Sequence, residues 1–140
     1  NLSMQASKRR TVWQSRQEII LSYKKKPLFE NWSPELLEIY IDNGSEQRDD
    51  GQIELKCSGE TESEIYRESS NYNAWNSLDG IDAKTLIIRG SKTEPRLSQM
   101  AEEVSNKIPR STIKTIDQSG HLVPMEAPTT LARTILSFFD

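Results

Sequence analysis

Ser119-Gly120-His121-Leu122-Val123-Pro124-Met125-Glu126-Ala127-Pro128 is the stretch on which the fold turns. Ahead of it, residues 112–116 are β-branched at Thr112, Ile113, Thr115 and Ile116, the composition of a strand. Behind it, Leu131, Ile135, Leu136 and Phe139 lie on or near one helical face, and Pro128 suits a first helical position. The only histidine of the chain therefore stands in a turn between a strand and a helix.

Upstream, Thr85-Leu86-Ile87-Ile88 is a continuous apolar run that leads to Gly90, as expected for a strand buried on both faces. Leu97, Met100, Ala101, Val104 and Ile108 then recur at helical spacing until Pro109. Strand, helix, strand, helix is a βαβ pattern, which predicts two parallel strands joined by a right-handed crossover. Two parallel strands need covered faces and more neighbours than each other. The pattern therefore points to upstream structure that other chains or a longer sequence would supply.

Open α/β sheets bind ligands in the crevice beyond the carboxyl ends of their strands. His121 follows Ile116 closely, and Glu94 follows Ile88 at a similar distance along the chain. If the strands are adjacent and parallel, both side chains emerge at one rim. A carboxylate that holds an imidazole N–H fixes the tautomer and stabilises the imidazolium, as a general base for acyl transfer requires.

The Ser119–Pro128 segment, followed by an apolar helix ending Phe138-Phe139-Asp140, resembles the C-terminal end of the α/β-hydrolase family. Thr85-Leu86-Ile87-Ile88-Arg89-Gly90 likewise resembles the penultimate strand of that family. The resemblance implies that His121 is the base of a nucleophile-His-acid triad and that Glu94 is a candidate acid. Many family members carry an aspartate at the position of Thr93, so the acid could also come from an earlier strand. No Gly-x-Ser-x-Gly elbow occurs in this sequence. The nucleophile, Ser or Asp, and the oxyanion amides lie upstream in the family. Glu126 is expected to accept amides at the N-terminus of the final helix.

The first half of the chain resembles, more loosely, the helical cap of lipase, epoxide hydrolase and dehalogenase-like branches. Ser15-Arg16-Gln17-Glu18 has capping-box spacing, and Ser33-Pro34 opens a second helix that stops at Asn43-Gly44. Asp49-Asp50-Gly51 is a turn signal, with Ile53, Leu55 and Cys57 alternating behind it, which predicts an extended segment with Cys57 buried. Helical pieces are expected over residues 60–66 and 72–78. Eight of the ten aromatic residues precede residue 78. Trp13, Trp32 and Trp75, with Leu122 beside the histidine, are the candidate substrate-lining residues; the alternative is that these large side chains only build a core.

Bulk composition narrows the remaining classes. The 140 residues are 34% hydrophobic and 28% charged, with 18 basic against 21 acidic residues and a net charge of -3, so nucleic acid is not an expected partner. A single cysteine excludes an internal disulfide and fits a reducing, cytoplasmic setting. No apolar run reaches the ~18 residues of a membrane span, and no signal peptide is recognised at the start. The chain opens on Asn1, not methionine, which points to trimming or an incomplete reading frame.

The expected architecture is thus α/β, a helical cap over residues 1–77 and the last βαβα part of a hydrolase core over 78–140. The expected parent activity is hydrolysis of an ester or similar bond in a small apolar substrate, with no metal or organic cofactor. Without a nucleophile this chain is expected to be inactive alone. Two other readings stay open: a non-catalytic binding or oligomerisation module, and one chain of a two-chain hydrolase. Open sheet edges and apolar helix faces predict a homo-oligomer.

Overall fold

The computed structural model describes residues 2–71 and 74–140, which separate into the units Asn1–Tyr72 and Asn73–Asp140. The 3-10 helix Ala74–Gly80 lies in the second unit. The start of the helical piece expected over 72–78 lies outside the described residues.

The first unit contains α1 (Leu2–Ser7), β1 (Val12–Trp13), α2 (Arg16–Lys24), α3 (Pro34–Gly44), β2 (Ser45–Gln47), β3 (Ile53–Leu55) and α4 (Gly59–Glu68). Serine hydroxyls start three of its helices. Ser15 Oγ accepts from Glu18 N and Ser33 Oγ from Leu36 N, both at 3.2 Å, and Ser58 Oγ accepts from Thr61 N at 3.0 Å. Each such cap contributes about 1 kcal/mol by satisfying an amide that the helix leaves open. Glu18 also accepts from Gln14 N and pairs with Arg10, each at 2.7 Å, which holds its carboxyl below the usual range. Arg16 joins α2 to α3 through two bonds to Asp42, at 2.6 and 2.9 Å.

Trp13, Ile19, Ile20, Tyr23, Phe29, Trp32, Leu37 and Ile41 form the core of this unit. Tyr23 stacks on Phe29 at 4.7 Å between ring centres, and Trp32 meets Phe29 and Tyr40 edge-on at 4.9 and 5.3 Å. Burial pushes the Tyr23 phenol up to about 12 and raises that of Tyr40 as well. At the crossing of α1 and α4, a Cβ on Gly59 would stand 2.5 Å from the carbonyl oxygen of Ala6, so only glycine fits there.

The unit is mainly helical but also holds a three-stranded antiparallel sheet, in the order β1-β3-β2. Its hairpin closes at the Asp50-Gly51 turn, where Gly51 adopts φ 84° and Gln52 N donates to Asp50 Oδ1 at 3.0 Å. One expectation is corrected here. β3 ends at Leu55, and Cys57 is exposed. Ser58 must swing out to cap α4, so the chain leaves the sheet before the alternation reaches Cys57.

In the second unit, β4 (Thr85–Gly90) and β5 (Ser111–Ile116) pair in parallel, from Thr85↔Ser111 to Gly90↔Ile116. α5 (Pro95–Lys107) crosses between them, and α6 (Val123–Glu126) and α7 (Pro128–Phe139) follow. The expected βαβ unit is present, but Leu86, Ile87 and Ile88 are half-buried, not buried on both faces. Among the described residues β4 has β5 as its one strand neighbour, and neither α5 nor α7 buries a residue fully. Arg89 Nη1 donates to Ser98 Oγ at 2.8 Å and Glu102 Oε1 at 2.7 Å, while its Nε reaches Thr115 Oγ1 at 3.2 Å. One guanidinium thus fastens both strands to the crossover helix. Gly90, Ile116, Ser119 and Val123, the buried positions, gather at and beyond the carboxyl ends of the strands, with Ile108 ahead of β5.

Candidate active site

The parallel register brings the chain segments after β4 and β5 to the same end of the sheet. Backbone bonds then tie them together. Ser91 N donates to Ile116 O at 2.9 Å and Lys92 N to Ser119 O at 2.8 Å, and Gln118 N donates to Ser91 Oγ at 2.9 Å. Ser119 is 1% exposed beneath this contact. A Cβ on Gly90 would collide with the carbonyl oxygens of Ser119 and Gly120, so the close approach of the two segments depends on that glycine. Gln118 adopts φ 59°, the left-handed turn that redirects the chain after β5.

His121 follows this turn, and its imidazole is exposed with no hydrogen bond or ion pair to a described residue. Glu94 occupies the N-cap position of α5 ahead of Pro95; its carboxylate makes no capping bond and is exposed. The two residues lie at one rim but share no hydrogen bond. Thr93 stands beside Glu94 with its hydroxyl buried and unpartnered.

Glu126 behaves differently from its expected role. It accepts from Gly120 N at 2.5 Å through Oε2 and from Leu122 N at 3.3 Å through Oε1, not from amides of the final helix. The backbone amides on both sides of His121 are thus held by one carboxylate. Glu126 N in turn donates to Leu122 O at 3.0 Å, which closes the turn into a ring of reciprocal bonds. Leu122, the residue before α6, offers no capping side chain, so a glutamate one turn later reaches back to the open amides. The spacing from Leu122 to Glu126 was a signal in the sequence; the second amide, that of Gly120, was not.

Several solved structures are similar to this chain. It superimposes on E-2-(acetamidomethylene)succinate hydrolase with a TM-score of 0.80 at 13% identity, covering 99% of this chain and 50% of that one. A peroxisomal α/β-hydrolase from Saccharomyces cerevisiae gives a TM-score of 0.80 at 16% identity, covering 99% of this chain and 36% of that one. This chain has the fold of the C-terminal part of an α/β-hydrolase. An esterase from Mycobacterium tuberculosis is similar too, with a TM-score of 0.68 at 13% identity, over 94% of this chain and 44% of that one. The chain spans half or less of the length of these three hydrolase-fold structures. No family model and no curated protein matches the sequence.

The remaining candidates divide between the units. Trp13 and Trp32 are 1% and 8% exposed in the core of the first unit, and neither indole N–H has a hydrogen-bond partner. Trp75 is half-buried in the second unit, with Lys107 Nζ 6.0 Å from its ring centre. Leu122 is half-buried next to His121. An open groove of about 600 Å³ lies on another part of the second unit, lined by Lys84, Leu86, Lys114, Arg133 and Phe138 among others, and includes neither His121 nor Glu94. No described helix is long and apolar enough to cross a membrane.

Proposed function

We propose that this chain is the catalytic-histidine part of a hydrolase that cleaves an ester or similar bond in a small apolar substrate. His121 is the general base and Glu94 the candidate acid that orients it, while the nucleophile and oxyanion donors come from sequence not contained here. One observation carries the reading. The only histidine stands, exposed and unpartnered, in the turn beyond a parallel strand of an α/β-hydrolase fold, where that architecture offers its ligand crevice. The first unit serves as the cap. Trp13 and Trp32, buried among Tyr23, Phe29 and Tyr40, build the core of that cap. The setting is cytoplasmic, and exposed apolar residues on α7 support a homo-oligomer.

A second reading has its own observation. Glu94 and His121 make no bond to each other, as expected of a binding or oligomerisation module that keeps the fold without its triad. A longer protein containing this chain and an upstream Gly-x-Ser-x-Gly segment separates the two. The hydrolase reading expects ester turnover lost by a factor of at least about 10³ in H121A, since triad members act as a unit. Unchanged turnover in H121A would leave the module reading standing.

A further inference from the structure

We infer that Glu126 is a positioning residue for His121: its carboxylate grips the two amides that bracket the histidine and thereby fixes the backbone from which the imidazole projects. The role rests on the reading of His121 as a base, although the grip itself does not.

Three observations converge on this assignment. The first is the pair of bonds, from Gly120 N at 2.5 Å and Leu122 N at 3.3 Å, to the two oxygens of one carboxylate. The Gly120 N–H lies in the peptide plane before Gly120 and the Leu122 N–H in the plane after His121, so the two bonds restrain the backbone dihedrals of Gly120 and His121 jointly. Bonds from N–H groups to an ionised acceptor are also roughly twice as strong as neutral ones. The second is Gly120. A Cβ there would lie 2.9 and 3.0 Å from the two carboxylate oxygens, so glycine leaves the carboxylate room to reach the amides without shifting. The third is the histidine side chain, which is exposed and unpartnered, so the backbone alone sets where the imidazole starts. The turn has other bonds, from Ser119 Oγ to Gly120 O at 3.3 Å and from Met125 N and Glu126 N to Leu122 O, but the Glu126 carboxylate joins the residues before and after the histidine to each other. The carboxylate touches backbone and never the imidazole; it acts on a reaction only by aiming the base. Misplacing a catalytic group by about 1 Å can cost on the order of 100-fold in rate.

The test uses the full 140-residue chain and backbone amide relaxation at His121. In the wild type the Gly120 and Leu122 amides should be protected from exchange, and His121 should have an order parameter near the ~0.85 of rigid backbone. E126A should remove both protections and drop His121 below about 0.6, while order in β4 and β5 is retained. G120A, whose Cβ would crowd the carboxylate, should weaken both protections and lower order at His121 part of the way toward E126A. E126Q keeps one acceptor oxygen, so it should retain the fold and give an intermediate value; it serves if E126A does not fold. A glutamate that merely stabilised α6 would lower the melting temperature and leave order at His121 unchanged, and that result would overturn the inference. Because order is measured without turnover, failure here leaves the hydrolase reading intact, and an inactive longer protein would leave the grip intact.

Discussion

Gly90 and His121 sit at one rim and respond to opposite pressures. Gly90 is closed in by two carbonyl oxygens, whereas His121 has open space around it. G90A should therefore destabilise the second unit by about 2–3 kcal/mol, the scale of overpacking against groups that cannot yield. Exchange of the β4 and β5 amides in urea measures this, and an unchanged rate would mean that the two segments separate without cost. H121A should lie within about 0.5 kcal/mol of the wild type by the same measurement, since an exposed, unpartnered side chain holds nothing. The histidine was legible because it falls between a β-branched run and an apolar helix, at the strand end where an α/β sheet presents its chemistry. The grip of Glu126 was not, since only the folded turn brings its carboxylate to Gly120 as well as Leu122. Cys57 misled because Ile53 and Leu55 prolong an alternation that the cap of α4 interrupts.

At the scale of elements, β4, β5, α5 and α7 were legible from apolar runs and helical spacing, with ends shifted by a few residues. β1 and β2 were not. Val12–Trp13 and Ser45–Gln47 are too short to show period two, and β2 is polar, so both exist by pairing with β3. α2 and α3 announced themselves by Ser15 and Ser33, whereas α1 has no such cap and was not legible; the core of the unit carries a pH signature. Tyr23 ionises near its ordinary 10.0 when unfolded but only at about 12 when folded, because burial disfavours the phenolate. Its contribution is therefore constant below pH ~10 and is lost as pH rises from there through ~12, at about 1.4 kcal/mol per unit. Tyr40 adds in the same direction. Urea midpoints of the first unit should fall between about pH 9 and pH 11, and Y23F should flatten that fall; an equal slope in Y23F would remove Tyr23 as its source.

For the molecule as a whole, what the second unit leaves exposed matters most. Leu136 and Phe139 are 65% and 73% exposed on α7, and β4 has an unpaired edge among the described residues. Such surfaces favour self-association, so sedimentation equilibrium at micromolar concentration should give a mass above the 16.0 kDa of one chain. A clean 16.0 kDa would remove the homo-oligomer from the account. The central claim is that this chain holds the base of a hydrolase and not its nucleophile. Hydrolysis of p-nitrophenyl acetate by the purified 140-residue chain and by its H121A variant tests it most directly. The account predicts equal rates, both at the level of the uncatalysed reaction; turnover that the chain sustains and H121A loses would contradict it, because it would require a nucleophile within these residues.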